Sequence, residues 1–237
     1  MEILLAGAQK LGITLSSDQI DAFQRYYQEL VEWNRRINLT AIVDYQAVQV
    51  KHFLDSLTVS LALEGWQRPA QWRCIDVGSG AGLPGIPLKL VYPQMELVLL
   101  DATAKRTAFL NHITGYLGLS GVEVITARSE DLAHQLSYRE AFHLAVSRGV
   151  APLATLVELM MPFCLVGGRA VALKKGEIKE EMSRAQKALS ETGGRLLQVR
   201  PVPLFPDQRY LVIGEKVAPT PSRYPRRPGL PVRRPLK

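Results

Sequence analysis

A chain of 237 residues, 47% hydrophobic and 22% charged, can bury one good core plus an appendage and reads as a soluble globular protein. No run approaches the length of a membrane span, and the apolar "ILLAGA" near the start follows Glu2 instead of a basic segment. A membrane or secreted fate is therefore not expected, and the cytoplasm is. The net charge of +7 sits almost wholly at one end, because residues 217–237 hold six Lys and Arg, six Pro and no acid, leaving the body close to neutral.

In chain order, residues 16–40, "SSDQIDAFQRYYQELVEWNRRINLT", open on capping residues Ser16 and Ser17. They then place Ile20, Phe23, Tyr27, Leu30, Val31 and Asn34 at helical spacing. "DYQAVQVKHFLDSLTVSLAL", residues 44–63, reads as a second helix capped by Asp44, with Phe53, Leu54, Leu57 and Leu61 on one face. Residues 1–65 are expected to form an N-terminal helical cap. His52 and Asp55 within it are expected to tie the cap to the rest of the protein.

From Gln71 onward short β-prone runs alternate with helical stretches: "WRCIDV", "ELVLLD", "GVEVITA", "FHLAVSR", "RAVALKK", "LLQVRPVPL" and "RYLVIGE". The intervening lengths suit right-handed crossovers, so residues 66–216 are expected to form an α/β domain with a mostly parallel, doubly wound seven-stranded sheet. The last two runs are separated by "FPDQ" alone, too short for a parallel crossover, and predict an antiparallel edge hairpin. Cys74 and Cys164 have neither metal-ligand spacing nor a disulfide framework and are expected in the core. Residues 217–237 are expected to be a separate, extended, proline-rich tail.

The first strand runs into "GSGAGLPG", with Gly78, Gly80 and Gly82 where a turn needs positive φ and a ligand needs close access to the main chain. Pro84 is expected near the first position of the following helix. Such a turn at the carboxyl end of a parallel strand is a cofactor cradle. Gly80 to Gly85 also match the dinucleotide fingerprint G-x-G-x-x-G, but that register begins three residues after Val77. The register beginning at Gly78, with Asp76 just before it, looks like the first motif of S-adenosylmethionine-dependent methyltransferases. Asp101, ending the second strand, suits the ribose hydroxyls of either cofactor and leaves both open.

Taken together, "WNRRINLT", "KHFLDSL", "DVGSGAGLPGIPL", "LLDATAKRTAFL", "SRGVAPL" and "ALKKG" resemble the RsmG (glucose-inhibited division protein B) family over about residues 20–176. The basic C-terminus resembles that of its longer members. The resemblance implies a Rossmann-like class I methyltransferase fold and S-adenosyl-L-methionine as cofactor. It also implies methylation at N7 of a guanine in 16S ribosomal RNA within the small ribosomal subunit, by a monomer without metal or membrane attachment.

Carried over by position, Gly78 and Leu83 would line the methionine end of the cofactor, with Asp76 near its amino group and Gly80 in the same cofactor-binding turn. Asp101, Ala102 and Thr103 would hold the ribose and adenine side, and Ser129 and Glu130 would edge the adenine. Arg148 would lie where cofactor and target base meet. Gly149 stands where an alanine is common, which implies a more flexible loop at Arg148. Arg223, Arg226, Arg227, Arg233, Arg234 and Lys237 would reach RNA phosphates. Two alternatives remain: a methyltransferase-like RNA-binding or scaffold protein without activity, and a dinucleotide-dependent oxidoreductase.

Overall fold

The computed structural model describes residues 1–149 and 151–236. Helix α2 (Ser17–Ile37) starts at a capping box, in which the Ser16 side chain accepts from Gln19 N and the Gln19 side chain accepts from Ser16 N. Its buried residues are Ala22, Phe23, Tyr26 and Leu30. Tyr26 thus takes the core position that spacing assigned to Tyr27, which is only half-buried. Residues 44–63 depart from one regular helix: α3 (Tyr45–Val48), capped by Asp44, passes into a π-helical turn (Gln49–Leu54), then α4 (Asp55–Leu57) and a 3-10 turn (Thr58–Leu63). A π turn adds a residue to the helical repeat and re-aims the side chains beyond it. Helix α1 (Glu2–Lys10) closes against it, and a Cβ at Gly7 would collide with the Leu54 side chain.

The seven strands are β1 (Arg73–Val77), β2 (Glu96–Asp101), β3 (Val122–Thr126), β4 (Phe142–Arg148), β5 (Cys164–Lys175), β6 (Gly194–Pro201) and β7 (Arg209–Lys216). They form one sheet in the order β3-β2-β1-β4-β5-β7-β6. The first five pair in parallel, while β7 runs antiparallel to both β5 and β6, as the short β6–β7 connection requires.

Alternate residues divide the core between the two sheet faces. Cys74, Leu97, Leu99, Leu144 and Val146 pack with α2, α5 (Gly85–Val91) and α6 (Ala104–Tyr116). Ile75, Val77, Val98, Leu100 and Ala145 pack with α7 (Ser129–Leu132), α8 (Leu153–Met160) and α9 (Lys179–Glu191). This period-2 division is what a doubly wound sheet demands of nearly continuous apolar strands. Cys74 and Cys164 are free and buried, one in each core layer. Among the described residues no helix is long and apolar enough to cross a membrane.

Residues 217–236 do not form the separate tail that their composition suggests. They fold back over the layer containing α7, α8 and α9, and end in a short helix α10 (Leu230–Arg233). Glu158, fully buried on α8, accepts from Arg226 N at 2.9 Å, Nε at 2.8 Å and Nη2 at 2.6 Å. Arg139 donates to the Thr220, Pro221 and Tyr224 carbonyls, and Tyr224 is buried with its hydroxyl on Glu191. The boundary expected at residue 216 therefore does not separate an independent segment. Backbone carbonyls freed by the prolines are satisfied by Arg139, and the buried carboxylate supplies the partner for Arg226.

Candidate active site

At the carboxyl ends of β1, β2 and β4 lies a cavity of about 500 Å³ lined by Gly78, Ser79, Gly80, Ala81, Leu83, Asp101, Ala102, Thr103 and Arg148, among others. Gly78, Gly80 and Gly82 have φ of 76°, 58° and 85°, a region that L side chains rarely occupy. Gly78 N and Ser79 N both donate to Leu100 O, which holds the turn onto β2. The peptide bond before Pro84 is cis, and Pro84 sits at the N-cap of α5, one residue before the helical position expected for it.

Asp101, only 4% exposed, accepts from Gly80 N at 3.0 Å and from Thr103 N at 2.9 Å. Arg106 Nη1 also lies 3.5 Å from its Oδ2, and since an ionised carboxylate has about four lone-pair sites, acceptor capacity remains for a ligand hydroxyl. The same residue thus shapes the glycine turn and faces the cavity.

Asp76 is placed differently from the expectation. It is fully buried, does not line the cavity, and uses Oδ2 to accept from Gly85 N at 2.8 Å. Its Oδ1 has no partner among the described residues. Burial pushes its pKa up to about 7, opposed by the Gly85 N–H and Arg148. Gly85 must be glycine here, since a Cβ would meet Asp76 Oδ2 at 2.8 Å and Leu99 Cδ2 at 2.7 Å.

Arg148 lines the cavity and is also ion-paired: its Nη1 donates to Lys51 O at 2.9 Å and to Asp55 Oδ2 at 3.1 Å. The other Asp55 oxygen accepts from Arg209 Nη1, so one carboxylate joins the helical cap to β4 and β7. Gly149 has φ of 67°, which accounts for glycine there.

Ser129 and Glu130 are buried and absent from the cavity wall: Ser129 Oγ donates to Leu159 O, and Glu130 Oε1 accepts from Gly229 N. Both side chains fasten α7 to its neighbours. Arg128, just before them, does line the cavity.

Of the tail cations, Arg226 is held by the buried Glu158, whereas Arg223 pairs with Glu191 at 2.6 Å and stays exposed. Arg227, Arg233 and Arg234 are exposed, and Lys237 lies outside the described residues.

Several lining residues had no site role assigned from the sequence, among them Leu39, Thr40 and Arg106, and His52 was expected only to tie the cap to the rest of the protein. "WNRRINLT" encodes the placement of the first two. Trp33 packs on Phe109 at 5.6 Å, Asn38 turns the chain through φ of 49° as the C-cap of α2, and Asn34 Oδ1 accepts from Thr40 N at 2.8 Å. His52 lies 2.8 Å from Thr40 Oγ1 through Nε2 and 3.0 Å from Lys51 O through Nδ1. A carbonyl only accepts, so Nδ1 carries the proton and Nε2 accepts from the threonine. Burial, then Arg148, lowers the His52 pKa to about 4.

These two groups act oppositely on stability. Asp76, raised from 3.8 to about 7, binds its proton more tightly when folded, so its contribution falls as pH rises from about 4 to 7. His52, lowered from 6.5 to about 4, binds its proton more weakly when folded, so its contribution rises over about pH 4 to 6.5. Asp76→Asn removes only the first effect. The variant's unfolding free energy relative to that of the native chain is expected to increase between pH 4 and 7, then level off. Urea melts across that range measure it, and a pH-independent difference would contradict the assignment.

The model of the rRNA small subunit methyltransferase G family matches residues 19–205. Proteins named ribosomal RNA small subunit methyltransferase G are 52% identical in Dehalococcoides mccartyi strain CBDB1, over 238 residues, and 43% in Roseiflexus castenholzii, over 237. In both cases 100% of this chain and 100% of the relative are covered. The fold is shared with a 16S rRNA (adenine-N1)-methyltransferase from Catenulisporales acidiphilia solved with its cosubstrate SAM. The TM-score is 0.52 at 12% identity, over 70% of this chain and 93% of that one. A precorrin-6y C5,15-methyltransferase from Geobacter metallireducens gives a TM-score of 0.51 at 14% identity, over 69% of this chain and 87% of that one. With its family model matched over residues 19–205 and relatives aligned from end to end, the chain belongs to the rRNA small subunit methyltransferase G family.

Proposed function

We propose that this protein transfers a methyl group from S-adenosyl-L-methionine to N7 of one guanine in 16S ribosomal RNA, acting as a cytoplasmic monomer on the small ribosomal subunit. The observation that carries the reading is the cavity wall itself: positive-φ glycines and Asp101 on one side, and Arg148 on the other. The residues fit the cofactor. The turn at Gly78 and Gly80 leaves main chain open to a ligand, Asp101 has acceptor capacity for ribose hydroxyls, and the unpartnered Asp76 Oδ1 favours positive charge near the turn. When bound, the cofactor supplies an electrophilic methyl on a sulfonium sulfur.

Guanine N7 carries its lone pair in the ring plane and no proton, so the reaction needs no general base. The lining groups suit that requirement: His52 stays neutral near pH 7, and Asp101 is engaged with the main chain. Arg148, held by Asp55, orients the target beside the glycine turn, and the protein contributes position and electrostatics. Exposed Arg227, Arg233 and Arg234 remain available to RNA phosphates.

Mapping N7-methylguanosine in 16S ribosomal RNA tests the reading. Cells lacking the protein are expected to lose one such nucleotide and regain it with the native gene but not with Asp101→Ala. An unchanged map in the deletion strain would overturn the function. Restoration by Asp101→Ala would leave methyl transfer standing and remove Asp101 from the cofactor site.

A further inference from the structure

Beside the glycine-turn cavity lies a second one of about 340 Å³, and the two share His52, Arg148 and Gly149. Its volume falls in the range of sites for small organic molecules, roughly 300–1,000 Å³. A Cβ at Gly149 would meet nothing within 4 Å, so no side chain closes the boundary between the cavities at that point. Ile42 and Leu173 give the second cavity apolar wall, and Asp55, Asp207 and Arg209 line it too.

Its charges form a chain. Asp207 Oδ1 accepts from Arg209 Nε at 3.1 Å, Arg209 Nη1 donates to Asp55 Oδ1, and Asp55 Oδ2 accepts from Arg148 Nη1 at 3.1 Å. Both Asp55 oxygens are therefore taken up by arginines. Asp207 differs, because only its Oδ1 is bonded to Arg209 and its side chain is 49% exposed. Burial by itself would raise its pKa, but the hydrogen bond and charge of Arg209 hold it below the usual carboxylate value, so it is ionised near pH 7. The loop between β6 and β7 that presents it is pinned: Val202 N donates to Arg209 O, Gly176 N donates to Gln208 O, and the Arg209 guanidinium lies 4.0 Å from the centre of the Phe205 ring.

We propose that Asp207 reads the target base: a guanine lying across the boundary of the two cavities, with N7 toward the glycine turn, donates its N1–H and 2-amino group to the Asp207 carboxylate. The proposal rests on the methyl-transfer reading above. On guanine, N7 and the N1–N2 edge lie on opposite sides of the ring system, so a base that offers N7 to the first cavity turns its donors into the second. A carboxylate has acceptor sites for both donors beside the Arg209 bond. Adenine has neither an N1–H nor a 2-amino group, and the same carboxylate rejects it. Bases turned out of their stack are read in this way, at the Watson–Crick edge. Lys51 and Lys175, exposed and without an ion-pair partner among the described residues, remain at the rim for flanking phosphates, which position the RNA without identifying the base.

Small subunits reconstituted with 16S RNA carrying guanosine or inosine at the modified position test it, since inosine lacks only the 2-amino group and keeps N7 and O6. Transfer of labelled methyl gives kcat/KM for each, and calorimetry gives the affinity for S-adenosylmethionine. The native protein is expected to prefer guanosine by about tenfold, the scale of one hydrogen bond to a charged group. Asp207→Ala should lose about a hundredfold on guanosine and about tenfold on inosine, which removes the preference, with cofactor affinity within about twofold of native. Asp207→Asn keeps the shape but sets an amide N–H against a base donor, and should remove the preference as well.

A native protein indifferent to the 2-amino group overturns the proposal. So does equal loss on both substrates in Asp207→Ala, the result of a carboxylate that only steadies Arg209. Should Asp207→Ala fail to fold, the native comparison and Asp207→Asn still decide, since native preference in Asp207→Asn overturns it too. Failure of the native protein to methylate the guanosine subunits at all would instead overturn the methyl-transfer reading.

Discussion

A chain ending at Lys216 should lose about 3–5 kcal/mol of stability, the usual cost of breaking a buried ion pair from one side. Glu158 is completely buried, and its three hydrogen bonds come from Arg226. Without the tail it must stay ionised and unpaired, or take up a proton. The deletion also strips Thr220 Oγ1 from Lys216, itself fully buried, and removes three carbonyl acceptors from Arg139. Set against a typical total of about 5–15 kcal/mol, the loss is large. For a chain of this size it corresponds to a fall in Tm of about 6–20 °C. Adding Glu158→Gln to the shortened chain should recover part of it, since a neutral amide is less costly to bury than a carboxylate. Equal urea midpoints for the full and shortened proteins would mean that the tail is a solvated end after all.

Asp101→Ala should weaken S-adenosylmethionine binding on the order of a hundredfold, because hydrogen bonds to a charged acceptor contribute about 1.5–3 kcal/mol and this carboxylate does two jobs. It accepts from Gly80 N and Thr103 N, shaping the turn, and it retains lone pairs for ribose hydroxyls. Alanine removes both, whereas Asp101→Asn keeps the size and one acceptor oxygen and should bind between the two. Direct calorimetric titration distinguishes them. A folded Asp101→Ala protein with native affinity would remove this residue from the cofactor site.

Local pattern was enough to determine the architecture. The apolar runs ending at Val77, Asp101 and Arg148 became parallel strands, and the hairpin followed from a connection too short to cross over. These features depend on periodicity and chain length, both of which are written in neighbouring residues. Gly78, Leu83, Asp101, Ala102, Thr103 and Arg148 likewise converge on one cavity, because each lies at the carboxyl end of a parallel strand or in the loop that follows it.

What needed the tertiary structure was every pairing across distance. Arg148 meets Asp55, 93 residues away, and Asp55 also holds Arg209, 154 residues away. His52 reaches the cavity only because the π turn re-aims it and Asn38 folds Thr40 back beside it. Ser129 and Glu130 have their side chains drawn inward by α8 and Gly229. The basic, proline-rich end illustrates the limit most plainly. Its composition describes a chain that would rather be solvated, since prolines lack donors and arginines are costly to bury. A buried carboxylate at Glu158 and the carbonyl-collecting Arg139 reverse that preference, and neither is visible from the segment itself.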